Sequence, residues 1–262
     1  MKVSVIVPVY NSSLMLGELC QRILNEMDKL KFRNDFELFM INDFSTDKSW
    51  EKIKELSRKF DFIKGINLNE NFGQHNAIMA GLNYSTGEYV ITLDDDLQHP
   101  PEFFTQILIK LNEADVCYTN YRNRKHIGWK RFVSYLNNII SSLILNKPVK
   151  IYMSSFRGFT KQINLKLISF KGPDVYLDGL IINSTKNIAM ITVDHHERKF
   201  GESNYNLKKL FILWSNMILN FSFLPIRFAS LFGGMLKILI KFFRKKNTKP
   251  QFEIKEMVNV KI

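Results

Sequence analysis

A chain of 262 residues, 45% apolar and 24% charged, has enough material for one large α/β domain plus an appendage, which excludes a disordered polypeptide. The formal charge of +12 is unevenly placed: from Lys199 onward twelve Lys/Arg face three Asp/Glu, a composition suited to nucleic acid, anionic lipid or a phosphorylated ligand. Cys20 and Cys117 both fall in apolar patterns and read as core residues, with nothing to suggest a disulfide framework or thiolate metal site, and the chain enters a strand at once, so a cytoplasmic protein without a signal peptide is expected.

Val3 to Tyr10 is an apolar run of strand length. Asn11-Ser12-Ser13 supplies capping residues, and Leu16, Leu19, Cys20, Ile23, Leu24, Met27 and Leu30 follow at helical spacing. The unit recurs as a strand from Phe36 to Ile41 ending at Asn42-Asp43, then a helix started by Ser45-Thr46-Asp47 and carrying Trp50, Ile53, Leu56 and Phe60. A third strand, Phe62 to Leu68, precedes Asn69 to Gly73 and a short helix through Ala77, Ile78, Gly81 and Leu82. The fourth strand is Tyr89 to Leu93, its helix spans Phe103 to Leu111, and Val116-Cys117-Tyr118 begins a fifth strand. Strands alternating with helices predict an α/β fold, Rossmann-like, with a mostly parallel sheet covered on both faces and a ligand beyond the carboxyl ends of its strands. Three of those ends are polar: Tyr10-Asn11, Asn42-Asp43 and Asp94-Asp95-Asp96.

The acidic end carries the most chemistry. Three adjacent carboxylates repel one another unless a cation sits among them. Alternate residues of an extended segment share a face, so Asp94, Asp96 and Gln98 are expected to point together and offer hard oxygen ligands to Mg²⁺ or Mn²⁺. The plainer reading is a solvated acidic turn before the helix that Pro100 and Pro101 open, although a cap needs one acid rather than three.

After Asn120 the rhythm breaks. Ile127 to Leu145 is helical and aromatic-rich, Ser154 to Phe159 reads as irregular, and Ile188 to Val193 is another strand. His195-His196 invites a metal reading, but neighbours on a strand point to opposite faces. From Leu207 the chain is apolar and helical, without a stretch long enough for a membrane span. Phe228, Leu231, Phe232, Met235, Leu236, Leu239, Ile240 and Phe243 fall largely at helical spacing beside Arg227, Lys237, Lys241, Arg244, Lys245 and Lys246, the composition of a helix lying in a membrane interface. An ordinary amphipathic helix packed on the domain is the alternative. Basic residues interleaved with aliphatic and Phe side chains suit anionic lipid better than nucleic acid. The expected division is a catalytic domain over 1–206, amphipathic interface helices over 207–246 and a tail over 247–262.

Val5-Ile6-Val7-Pro8-Val9-Tyr10-Asn11, Ile41 to Asp47, Asn71-Phe72-Gly73-Gln74-His75-Asn76-Ala77 and Asp94 to Glu102 occur in the order and spacing of family-two glycosyltransferases. Phe156-Arg157, Arg198 to Tyr205 and Phe221 to Arg227 extend the match over roughly residues 1 to 233, and the chain most resembles the polyprenyl-phosphate branch that includes dolichyl-phosphate mannose synthase and its bacterial relatives. The resemblance implies a GT-A fold binding a UDP-, GDP- or dTDP-linked sugar. It places Pro8, Tyr10 and Asp43 around base and ribose, with Asp43 accepting from a base N–H and Asn71, Gly73 and Asp95 completing the pocket. It puts Asp94 and Asp96, with Gln98, on the divalent ion, and Arg157, Arg198 and Ser203 near phosphate groups.

The chemistry of such a transfer agrees. A nucleoside diphosphate leaves, and a metal with Arg198 and Lys199 can neutralise the charge it develops, while Gly201 lets the backbone approach closely. Asp178 separates two acceptors. A polyprenyl phosphate is already ionised and needs no base, whereas a sugar hydroxyl on a lipid-linked saccharide does, and Asp178 would serve. The function expected is metal-dependent, inverting sugar transfer to a lipid-linked acceptor by a protein peripheral on the inner face of the membrane, with a homo-oligomer allowed. A nucleotide-binding module without turnover is the rival from another class. A dinucleotide oxidoreductase is disfavoured because Asn11-Ser12-Ser13 replaces the glycine fingerprint after the first strand.

Overall fold

The computed structural model describes residues 2–32, 34–121, 142, 151–193 and 250–260. Within them the order is β1 (Val3–Val9), α1 (Leu16–Lys29), β2 (Phe36–Asn42), α2 (Ser49–Lys59), β3 (Ile63–Leu68), α3 (Gln74–Tyr84) and β4 (Tyr89–Thr92). A 3-10 turn (Pro101–Phe103) leads into α4 (Phe104–Leu111), followed by β5 (Val116–Tyr121), β6 (Arg157–Thr160), α5 (Lys161–Ile168), α6 (Leu177–Ser184), β7 (Ile188–Val193) and β8 (Ile254–Val258). The strands form one sheet in the order β7-β5-β6-β4-β1-β2-β3-β8, with β6 and β8 antiparallel to their neighbours and the other pairings parallel.

The apolar alternation in the strands divides the core into two layers. Val3, Val5, Val7 and Val9 of β1, with Leu38 and Met40 of β2, pack under α1, α2 and α4 through Leu16, Ile23, Ile53 and Phe104. The intervening Ile6, Phe39 and Ile41 point the other way, onto Ala77, Ile78 and Leu82 of α3 and Ile163 and Leu167 of α5. Every residue of β1 and β2 is buried, as central parallel strands covered on both faces must be. Gly81 lets α3 sit directly on the sheet: a Cβ there would lie 2.8 Å from Ile41 Cδ1 and 2.9 Å from Ile6 Cγ2. Cys20 and Cys117 are buried and unpaired, as their apolar settings predict.

Three sequence expectations are corrected. The segment around Phe156-Arg157-Gly158-Phe159 is not irregular: β6 pairs with both β4 and β5 near the middle of the sheet. Arginine and glycine inside a four-residue strand hide it from any periodicity; the strand holds because Arg157 is neutralised by Asp178 and Gly158 makes room for Ile107 and Leu111 of α4. Residues after 247 are not all tail, since β8 closes the edge of β3 that would otherwise expose unpaired backbone groups. Nor do Asn11, Ser12 or Ser13 cap α1, whose N-cap is Met15 with no side-chain bond; the Asn11 amide oxygen instead accepts from Thr46 N–H at 2.8 Å. The cationic stretch over 207–246 and His195-His196 lie outside the described residues. Among the described residues no helix is long and apolar enough to cross a membrane.

Candidate active site

The parallel strands β1, β2 and β4 end side by side, and the turns that follow them enclose a cavity of about 460 Å³. Its lining is Pro8, Val9, Tyr10, Asp43, Asn71, Gly73, Gln74, Asp94, Asp95 and Asp96. Each of the three turns contains a non-glycine residue in the left-handed region: Asn11 (φ 55°), Phe44 (φ 59°) and Leu97 (φ 63°). Such backbone costs on the order of 1 kcal/mol per residue and concentrates where ligands are handled.

Asp43, at the carboxyl end of β2, is buried. Its Oδ1 accepts from Phe72 N–H at 2.8 Å and its Oδ2 from Gly73 N–H at 2.9 Å. The carboxylate thus satisfies the free donors before α3 and fixes the loop that turns at Gly73 (φ 84°), where only glycine is unstrained. Asn71 Nδ2 returns a bond to the Asp43 carbonyl at 3.1 Å. Burial raises the Asp43 pKa above the ordinary carboxylate value, against the lowering effect of those two N–H donors. Asp43 lines the cavity as expected, but both its oxygens are already engaged, so its first role is to shape the Asn69–Gly73 loop.

The acidic segment differs from the expected extended ladder. β4 ends at Thr92, and a bend through the left-handed Leu97 brings all three carboxylates to the cavity rather than alternate ones. Asp94 Oδ1 accepts from Gln74 Nε2 at 2.6 Å and Oδ2 from Ser155 Oγ at 2.7 Å. Its N–H donates to His99 Nδ1 at 3.1 Å, and His99 stacks on Phe156 with ring centroids 5.4 Å apart. Asp95 Oδ2 accepts from Tyr10 N–H at 3.0 Å. Burial pushes Asp95 up to about 6, outweighing the Ser12 and Tyr10 donors, and the charges of Asp94 and Asp96 add to the rise. Asp96 Oδ1 accepts from Gln98 N–H at 3.1 Å, so Gln98 meets the cluster through its backbone, and its side chain is not part of the cavity lining.

Near His75 lies a second constellation. Arg157, 1% exposed, pairs through Nη1 with Asp178 Oδ1, and the same oxygen accepts from the Tyr118 hydroxyl at 2.8 Å. Burial, together with Asp178, raises the Tyr118 pKa far above its ordinary value, so the phenol keeps its proton and donates. His75 packs edge-on to Tyr176 at 5.7 Å and its pKa is lowered by burial, despite the opposing influence of Asp178. Arg157, expected near phosphate groups, is absent from the cavity lining and is committed to Asp178. Arg198 and Ser203 lie outside the described residues.

Residues 4–168 match the family described as Glycosyl transferase family 2. The chain is 32% identical over 240 residues to the undecaprenyl-phosphate 4-deoxy-4-formamido-L-arabinose transferase of Enterobacter sp. (strain 638), covering 91% of this chain and 73% of that one. The chain belongs to glycosyltransferase family 2.

The transferase also shares its fold with solved structures. Mycobacterium tuberculosis glucosyl-3-phosphoglycerate synthase, crystallised with Mn²⁺, UDP and glucosyl-3-phosphoglycerate, aligns with a TM-score of 0.57 at 16% identity, covering 83% of this chain and 77% of that one. S. aureus TarS 1–349 in complex with UDP-GlcNAc aligns with a TM-score of 0.55 at 22% identity, covering 84% of this chain and 67% of that one. The α/β sheet described above is thus GT-A-like. In this glycosyltransferase the cavity at the strand ends holds Pro8, Tyr10, Asp43, Asn71, Gly73, Asp94, Asp95 and Asp96 together, all of them expected from sequence. Gln74, Ser155 and His99, which hold Asp94, were not assigned roles from sequence. Gln74 and His99 stand inside the quoted motifs, and that is the signal that points to them; Ser155 has none beyond adjacency to Phe156-Arg157.

Proposed function

We propose that this glycosyltransferase moves a sugar from a nucleotide-sugar to a polyprenyl phosphate, with inversion at the anomeric carbon. The observation that carries the reading is the convergence of Asp94, Asp95 and Asp96 on one cavity at the ends of β1, β2 and β4. The donor set suits a hard divalent cation. Among the described residues no group of three or more His, Cys, Asp or Glu side chains is arranged to hold a metal by itself. Mg²⁺ and Mn²⁺ take one or two protein carboxylates and complete their shell with water and substrate phosphates, so two of these side chains would serve. Asp94 and Asp96 would hold the ion, with Gln98 supporting Asp96 through its backbone. When bound, the ion supplies neutralisation of the charge that develops on the departing diphosphate.

The chain's own residues do the rest. Tyr10, 45% exposed at the cavity mouth, offers a ring to a nucleobase, and Pro8, Asp43, Asn71 and Gly73 form the wall beside it. Gln74 and Ser155 fix both oxygens of Asp94 in advance. Arg198 and Ser203 are assigned to the phosphates. An acceptor phosphate oxygen attacks the anomeric carbon as the carbon–oxygen bond to the diphosphate breaks, and that bond's electron pair leaves with the nucleotide. Because the acceptor is ionised, no base is required. Asp178, already holding Arg157 and Tyr118 on one oxygen, serves this reading as a structural anion, whereas transfer to a sugar hydroxyl would use it as the base. The UDP in the neighbours and the undecaprenyl phosphate in the relative's name support these assignments, as does the cationic stretch over 207–246, which suits a peripheral position on the inner, anionic face of a membrane.

Incubation with UDP-, GDP- and dTDP-linked sugars, Mn²⁺ and undecaprenyl phosphate tests the proposal. An acid-labile lipid product that disappears with EDTA is expected. A product formed only when a lipid-linked saccharide is added would transfer the assignment to the Asp178-dependent reaction, and nucleotide binding without turnover on any acceptor would reduce the protein to a binding module.

A further inference from the structure

The donor-side wall of the cavity is supported by a segment that contributes no residue to it. β8 pairs antiparallel with β3, and a register shift between Asn67 and Leu68 places Ile254 opposite Leu68. The pairing then runs past the sheet: Asn69 N–H donates to the Glu253 carbonyl at 3.0 Å, two residues before Asn71. On the other side Gln251, 9% exposed, donates through Nε2 to the Phe170 carbonyl at 3.1 Å and the Gly172 carbonyl at 3.0 Å. The next carbonyl, Pro173, accepts from Asn76 Nδ2 at 2.9 Å, and that same nitrogen donates to the Phe72 carbonyl at 3.0 Å. Residues 251–253 therefore reach the Asn69–Gly73 loop twice, directly at Asn69 and through the 170–173 turn at Phe72.

Covering an open edge needs only β8 itself. The contacts of Gln251 and Glu253 lie beyond the strand, on the side of the cavity. At the far end of the strap, Asn259 makes a matching pair of bonds, Nδ2 to the Ser57 carbonyl at 2.6 Å and to the Ile63 carbonyl at 3.1 Å, at the start of β3 and away from the loop. We infer that residues 251–253 position the Asn69–Gly73 loop for the nucleotide, making Gln251 a positioning residue for donor binding some 180 residues from the loop it serves. The nucleotide part rests on the donor-site reading given above.

Gln251→Ala and Asn259→Ala in the full chain separate positioning from plain stability, since each removes two bonds from an amide to backbone carbonyls. Hydrogen exchange of the 69–73 amides reads the loop, and calorimetric titration with UDP, GDP and dTDP, each with Mn²⁺, reads the nucleotide. Gln251→Ala is expected to speed exchange at 69–73 by about tenfold and to weaken nucleotide binding severalfold, raising the donor KM with kcat unchanged. Asn259→Ala, which also places alanine in left-handed backbone (φ 57°), is expected to lower Tm at least as much and leave loop exchange and affinity as in the wild type. Should Gln251→Ala fail to fold, Gln251→Asn, which shortens the reach, takes its place. Equal loop exchange in the two variants, or faster exchange with unchanged affinity, overturns the inference. A wild-type chain that binds none of the three nucleotides overturns the donor-site reading instead, and the exchange comparison still decides whether the strap holds the loop.

Discussion

At the amino end of the sheet, Glu37 is buried among donors that occupy both its oxygens: Oε1 accepts from Ser4 Oγ at 2.6 Å and Thr86 N–H at 2.6 Å, and Oε2 from Lys64 Nζ at 2.6 Å with Lys2 Nζ at 3.1 Å. At the carboxyl end, Asp94 and Asp95 are buried or half-buried beside one another, held by Gln74, Ser155 and the Tyr10 N–H, all neutral donors. Burial alone raises both kinds of carboxylate. At Glu37 the hydrogen bonds and the Lys64 charge overcome it and hold the group at about 2, whereas at Asp95 the neighbouring carboxylates add to it and leave the group at about 6. One end has its countercharge built in and contributes to stability. The other concentrates three carboxylates in one cavity and, among the described residues, fixes Asp94 and Asp95 through neutral donors, an arrangement that favours a cation.

The largest effect expected from breaking this contrast is at Asp96. Asp96→Ala should lower transfer by about 10³-fold, the scale of losing direct stabilisation of developing charge, while Tm without metal stays level or rises because repulsion is relieved. Differential scanning calorimetry beside the transfer assay checks both halves. In the wild type, Mn²⁺ with a bound nucleoside diphosphate at 100 times its Kd should add about 2.7 kcal/mol of stability, removed by EDTA and missing in Asp96→Ala. Retained transfer in the variant would refute the metal assignment. Gln74→Ala is the next in size. It frees Asp94 Oδ1 without touching a ligand, so an increase of about 10- to 100-fold in the Mn²⁺ needed for half-maximal nucleotide binding is expected, measured by titration.

The carboxyl end of the sheet was legible in the sequence, though unevenly, whereas nothing in the sequence singled out Glu37 at the amino end. The βα rhythm, the two-faced strands and the polar ends of β1, β2 and β4 follow from local periodicity, and so did the cavity. What escaped depends on partners far along the chain. Asp43 was readable as a pocket residue but not as the group that fixes Phe72 and Gly73, because nothing local announces a bond across thirty residues. β6 was hidden by a buried arginine whose partner, Asp178, sits on a later helix. β8 lies far along the chain from β3, and its five residues, Ile254-Lys255-Glu256-Met257-Val258, break the apolar alternation that would announce a strand. The bent acidic turn defeated the extended-strand reading because a left-handed leucine is not predicted by any propensity.

The smaller effects belong to the amino end. Glu37→Gln should cost about 2 kcal/mol, discounted from the full shift because Lys2 is partly solvated, with transfer by the folded protein unchanged. Glu37 has a folded pKa of about 2 against an ordinary value of 4.5, so the unfolded chain binds its proton more readily. Its contribution is therefore fully present above pH 4.5 and is lost as pH falls from there toward 2. Urea denaturation from pH 7 to pH 3 should show the wild type and Glu37→Gln converging on the acid side, and parallel curves would show that Glu37 is not the group responsible.

The smallest effect grades the two lysines. Lys64 Nζ is 2.6 Å from Glu37, lies over the Phe39 ring at 5.1 Å, and its side chain is 17% exposed; Lys2 approaches the same oxygen at 3.1 Å with 41% exposure. Screening by water should hold Lys2→Ala within about 0.5 kcal/mol, whereas Lys64→Ala, which also uncovers an aromatic face, should cost about 1–2 kcal/mol. Chemical denaturation of the two variants at pH 7 measures both. If they lose the same amount, Glu37 is held by its neutral donors Ser4 and Thr86 rather than by charge, and the two ends of the sheet differ in the number of donors each carboxylate receives instead of in their sign.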